Sequence, residues 1–171
     1  PKLITFYKTG GRGVHRFDMD DTYVYLSTEM DGFLGHILVI YDIRDPVKPE
    51  EVGRWWMPGQ NIAAGEEPSL IGREHRLHHA LRHEDRMYAG CWFSGYAIID
   101  ISDITKPKTL GTYAVHPAAK EPSHTLRRVP FQVGGRDIAL GTDEERSFRG
   151  DDVGQPHGPF YVFDVTDPTA M

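Results

Sequence analysis

The stretch Leu38-Val-Ile-Tyr-Asp-Ile-Arg-Asp-Pro46 decides the fold, because its pattern occurs three times in the 171 residues. A run of β-branched and aromatic residues leads to Asp42, then an apolar residue, a variable one and Asp45. The same order returns at Ala97-Ile-Ile-Asp-Ile-Ser-Asp103 and at Tyr161-Val-Phe-Asp-Val-Thr-Asp-Pro168. Such runs read as strands that end in turns: proline cannot donate to a ladder, and aspartate caps a turn. Asp42, Asp100 and Asp164 lie 58 and 64 residues apart. A minimal four-stranded repeat needs roughly 40–50 residues, so insertions are expected.

A second repeat lies upstream of each copy. Val14–Glu29 aligns without gaps on His78–Phe93, placing His15 on His79 and the polar turn Asp20-Asp21 on Glu84-Asp85. The third version is His124-Thr-Leu, a longer run to Gly134-Gly135, then Arg136 to Asp143. Each reads as a hairpin of strand, polar turn and strand. The unit order follows. A histidine opens strand one, strand two returns, the Asp-closed phrase is strand three, and a Lys-Pro step or its like leads to strand four. This predicts an all-β β-propeller of four-stranded antiparallel blades, with just under three blades in the chain and no helix longer than two turns. Blade one covers about 11–56, an inter-blade insertion about 57–74, blade two about 75–115, and an incomplete blade three about 122–171. A β-sandwich would not repeat the same order three times.

The phrase at Leu38–Pro46 resembles the LVIVD repeat. Together with the openings Gly13-Val-His15, His78-His79-Ala80 and Ser123-His124-Thr125, it is similar to the selenium-binding protein and methanethiol oxidase family. The resemblance covers nearly the whole chain. It implies a closed propeller of about seven blades, completed by further chain or a partner chain. It also implies oxidation of a small sulfur-containing molecule, with copper or iron as the metal. The family's selenium-linked cysteine has no matching motif here.

Composition narrows the function classes. With 19 basic and 25 acidic residues the net charge is −6, and no Lys/Arg run suggests nucleic acid or a membrane surface. The longest apolar runs, Ile37–Tyr41 and Tyr96–Ile99, are too short to span a bilayer. Cys91 is the single cysteine, so neither an internal disulfide nor a CxxC zinc site exists. The chain opens on Pro1, and the natural start is expected to lie upstream. A soluble protein of the cytoplasm or the periplasm fits equally.

Strand one of a propeller blade lines the central channel, so equivalent positions ring it. His15, His79 and His124 are therefore expected to converge on one transition metal at the channel mouth, which needs fixed neutral nitrogen donors. His78 joins them only if the strand start is irregular. Zinc and manganese remain alternatives to copper and iron. Strand two returns to the same face, which brings Glu29 and Glu144 forward as general bases, with Asp143 aligned on Glu29. Arg16 and Arg73 fall near this face and suit an anionic small-molecule substrate. Trp92 is the best pocket wall among the tryptophans. Cys91 is expected to be buried and inert. The competing functions are a metal-dependent oxidoreductase, a metal-dependent hydrolase or lyase on the same site, and a non-catalytic propeller used as an interaction module.

Overall fold

The computed structural model describes residues 1–68, 75–114, 121–145 and 158–171. It holds eleven strands in three antiparallel sheets. The first contains β1 (Val14–Met19), β2 (Tyr23–Glu29), β3 (His36–Asp42) and β4 (Glu50–Trp55), paired in chain order. The second repeats this with β5 (His79–His83), β6 (Arg86–Gly90), β7 (Tyr96–Asp100) and β8 (Lys108–Tyr113). The third has β9 (Ser123–Arg128), β10 (Ile138–Asp143) and β11 (Phe160–Asp164), with β11 at its edge. The helical elements among the described residues are 3-10 turns at Ile62–Ala64 and Pro168–Ala170. Ile37–Tyr41 and Tyr96–Asp100 are third strands of separate sheets, as the repeat predicts.

The Asp-closed phrase does one local job three times. Asp42 accepts the backbone N–H of Arg44 (3.0 Å), Asp100 that of Ser102 (2.8 Å) and Asp164 that of Thr166 (3.1 Å). The second aspartate repeats the move: Asp45 takes Val47 N, Asp103 takes Thr105 N and Asp167 takes Thr169 N. Two successive Asx turns thus end each third strand and turn the chain sharply. The repeat aspartates are committed to these corners and do not reach the histidines.

The sheets stack face to face because their third strands are apolar on both sides. Leu38 and Ile40 pack with Trp55, Met87, Ala97 and Ile99 between the first and second sheets. Tyr96 and Ile98 pack with Leu126, Ala139 and Phe163 between the second and third. Trp55 also donates its indole N–H to Thr109 across the first gap (2.9 Å). The outer face of the first sheet is covered from within the chain: Ile37, Val39 and Tyr41 lie against Met30, Phe33 and Trp56, and Tyr7 meets Tyr41 edge-on at 5.2 Å. Met30 and Phe33 follow β2, Trp56 follows β4, and Tyr7 comes from the segment before β1. On the third sheet Phe160 and Val162 remain exposed.

A close backbone approach sets the spacing of the stack. A Cβ on Gly53 of β4 would overlap the carbonyl oxygen of Ile104, in the Asx corner of the next sheet. A Cβ on Gly111 of β8 would overlap the carbonyl oxygen of Pro168, in the corresponding corner of the third. Gly53→Ala and Gly111→Ala should each cost about 1–3 kcal/mol through overpacking against rigid backbone. Gly10→Ala, where the nearest neighbour stands at 3.7 Å, should be close to neutral. Chemical denaturation of the three variants checks this, and a Gly53→Ala protein as stable as the parent would refute it.

Candidate metal centre

The ladders assign equivalent positions without reference to sequence similarity. Asp42, Asp100 and Asp164 pair with Tyr23, Arg86 and Ile138 in the adjacent second strands. Counting from these pairs, Phe17, Ala80 and Leu126 occupy one position of the first strands, opposite Leu26, Ala89 and Gly141. Two residues earlier stand His15, His78 and His124. The equivalent of His15 is therefore His78, one residue before the His79 that gap-free alignment selects. Tandem histidines conceal the shift. His15 and His124 are also each the extra residue of a bulge, between Val14 and Arg16 and between Ser123 and Thr125. A bulge re-aims a side chain at a strand end.

These three rings meet. The centroids of His78 and His124 are 4.1 Å apart, and those of His15 and His78 are 4.7 Å apart. His15 lies in β1, His78 directly precedes β5 and His124 lies in β9, and these first strands are neighbouring edges of the three sheets. His36, placed in a loop by the sequence, begins β3 and stacks on His15 at 5.2 Å. It pairs there with Glu29, the last residue of β2. His79 stands apart from the ring contacts. Its Nε2 lies 3.4 Å from the carbonyl oxygen of Phe17, which can only accept, so that nitrogen carries the proton. His79 is still near enough to disfavour protonation of His15 and His124.

Hydrogen bonding fixes which nitrogens point inward. His78 Nδ1 is 3.1 Å from the carbonyl oxygen of His124 and must donate to it, leaving the Nε2 lone pair directed at the cluster. His124 Nε2 is 3.5 Å from Nη2 of Arg16, which can only donate, while Nδ1 is 2.6 Å from the hydroxyl of Thr125. His124 is therefore also an Nδ1–H tautomer, and its Nε2 lone pair accepts from Arg16 at the edge of the cluster. Gly90 makes the approach possible, since a Cβ there would overlap the carbonyl oxygen of His124.

The carboxylates follow the same register. Glu29, Trp92 and Glu144 are equivalent, so Glu29 matches Glu144 and not Asp143. Glu144 Oε2 lies 3.8 Å from His78 Nε2 and 4.0 Å from His124 Nε2. This oxygen atom is buried, although the side chain is partly exposed, and among the described residues it has no hydrogen-bond partner. His78, His124 and Glu144 offer three ligand atoms within 4.8 Å of one another, a group that could hold a metal ion. Glu29 is instead paired with Arg12 at 3.2 Å, on the side of the segment before β1. Asp143 is held by the hydroxyls of Tyr96 (2.7 Å) and Tyr161 (3.0 Å), and burial with that bond keeps the Tyr96 phenol protonated.

Trp92 walls the site. Its ring stacks on His78 at 4.8 Å, and the Arg76 guanidinium lies 4.2 Å over its face. Its φ of 53° is unusual for a bulky residue and is held by paired backbone bonds with Ser123 (3.0 Å each). His75 lies outside the cluster, bridging the Pro58 carbonyl and the Ser94 hydroxyl. Cys91 is buried, and burial pushes its thiol up to about 12, so it is no nucleophile near neutral pH. Arg73, His116 and His157 lie outside the described residues, as does most of the insertion 146–159.

A groove of about 830 Å³ between Trp55–Trp56 and Thr105–Thr109 contains no imidazole or thiol. No protein-family model matches the chain, and no curated protein matches it either.

Burial, followed by the charges of His124, His15 and Arg16, holds the His78 pKa down to about 3. The ordinary value near 6.5 applies to the unfolded chain. The unfolded state therefore binds more protons as pH falls below about 6.5, and the folded state loses stability. His15, His75, His79 and His124 shift in the same direction, with burial as the leading cause. Urea midpoints measured from pH 7.5 to 4.5 should fall steeply for the parent. They should fall less for His78→Asn, whose amide can still donate to the His124 carbonyl. Equal slopes for the two proteins would contradict this account.

Proposed function

We propose that this chain is part of a metal-dependent β-propeller enzyme whose ion is held by His78 Nε2, His124 Nε2 and Glu144 Oε2, with His15 alongside. The observation that carries the reading is the buried Glu144 oxygen, which faces two nitrogens whose tautomers both present lone pairs. The lone pairs of Glu144 Oε2 and His78 Nε2 face each other with no proton between them, and a cation there turns that repulsion into coordination while drawing His124 Nε2 from Arg16. The propeller reading is supported by the three stacked sheets, by the Asx corner repeated in each, and by the histidine-bearing first strands along their inner edges.

Two imidazoles and one carboxylate, with positions left open, suit iron(II) better than copper. Zinc uses the same donors in hydrolytic sites, which keeps a metal-dependent hydrolase or lyase as the second reading. The bound ion would supply Lewis acidity or one-electron chemistry for oxidising a small molecule, with a sulfur compound suggested by the family resemblance. The chain's own residues do the rest. The His124 carbonyl orients His78, Thr125 orients His124, and Trp92 keeps water from the buried side. Glu144 is the carboxylate placed to take up a proton beside the ion.

The test is metal uptake by the chelator-treated chain, with iron(II) and zinc supplied separately. One equivalent should bind. His78→Ala, His124→Ala and Glu144→Gln should each weaken binding more than about a hundredfold, beyond the ten- to hundredfold typical of residues that merely orient ligands. His79→Ala and Glu29→Gln should change it little, because each side chain is committed elsewhere. Full metal content in His78→Ala and Glu144→Gln would overturn the proposal. A visible spectrum responsive to reduction would separate the iron reading from the zinc one.

A further inference from the structure

Arg16 carries a charge that its one hydrogen bond, to the neutral His124 ring, does not balance. It is exposed on β1, one residue past the His15 bulge, and among the described residues no carboxylate pairs with it. Its contact is Nη2 at 3.5 Å from His124 Nε2, the nitrogen that faces Glu144. Glu144 is the one carboxylate among the ligating atoms. A divalent ion there would exceed its charge, and Arg16 would add a further positive charge on the solvent side. Guanidinium beside a cation is repulsive unless an anion lies between them.

We infer that Arg16 receives an anionic oxygen-bearing group, carboxylate or phosphate, on a small molecule that bridges the guanidinium and the metal. The inference rests on the metal reading above and adds the charge class of the ligand. Arginine suits the role because its planar fork presents two parallel N–H donors to two oxygens. The register supports a dedicated position: the equivalents of Arg16 are His79, bonded to the Phe17 carbonyl, and Thr125, bonded to His124. Of the three equivalent residues, Arg16 alone carries a fixed charge. The Arg76 guanidinium over Trp92 places a second positive charge near the same rings.

The experiment loads the chain with cobalt(II), whose visible bands report its coordination, and titrates sodium acetate, inorganic phosphate and neutral acetamide. Acetate or phosphate should shift the bands saturably and acetamide should not; the stronger of the two anions identifies a planar or a tetrahedral group. Arg16→Gln should keep the cobalt stoichiometry and weaken the anion by roughly ten- to hundredfold, the range for a lost charge-assisted hydrogen bond. Arg16→Lys should recover part of that loss. Anion binding unchanged in Arg16→Gln, or an equal response to acetamide, would overturn the inference. If the chain takes up no cobalt, the metal reading fails separately. The same titrations followed by ring NMR of His15 and His124 then decide the anion site: saturable shifts lost in Arg16→Gln support it, and their absence in the parent refutes it.

Discussion

The close approach of an Asx corner to a bare glycine in the preceding sheet is the contact on which the rest of the arrangement depends. Gly53 receives the Ile104 carbonyl and Gly111 receives the Pro168 carbonyl. Each corner hangs from a third strand by two aspartate-capped turns, with Ile101 and Val165 anchoring it in the core. With the outer strands pinned in this way, the apolar third strands close face to face. The first strands then become neighbours along the opposite edge. The histidine cluster is thus a consequence of glycines and aspartates far from it in the sheet.

That route of influence explains why the cluster stays neutral. Rings pressed together at strand starts lose water, and each added proton would sit beside another ring or the guanidinium of Arg16. Both effects depress the imidazole pKa values. Neutral imidazole is the form that coordinates a metal, so the packing that makes the site hard to protonate also keeps it ready to ligate. The same packing lowers stability in acid, which is a cost that a purely structural cluster would not need to carry.

The repeat was legible in the sequence because its markers are local. Asp-capped turns, branched runs and polar hairpin turns act over a few residues, and all three copies were readable. The register was less legible. Gap-free alignment of Val14–Glu29 on His78–Phe93 shifted every pairing by one residue. It replaced His78 by His79 and Trp92 by Phe93, and the third copy was matched through Asp143 instead of Glu144. The bulges at His15 and His124 are invisible in sequence, since they arise from ladder hydrogen bonds. The adjacent histidines supplied a plausible answer in either frame. His36 is hidden for a related reason: it directly follows Gly35, which has a positive φ, yet already pairs with Glu29. The cover over the first sheet comes from Met30, Phe33 and Trp56 in connections, with Tyr7 beside them, and connections carry no periodic signal.

Three equivalent units could have given a symmetric site, and the chain breaks the symmetry at two positions. At the second-strand ends stand Glu29, Trp92 and Glu144. Arg12 draws Glu29 aside, Trp92 stacks on His78, and only Glu144 faces the imidazoles. At the position after the histidine stand Arg16, His79 and Thr125. One is a cation with no carboxylate partner among the described residues, one is tied to a carbonyl, and one orients a neighbouring ring. The outcome is directional. The carboxylate lies toward the third sheet, the indole closes the second, and the positive charge lies on the first. A site built only to cross-link three sheets would gain nothing from that polarity. A site that must hold a cation on one side and admit an anion from the other requires it.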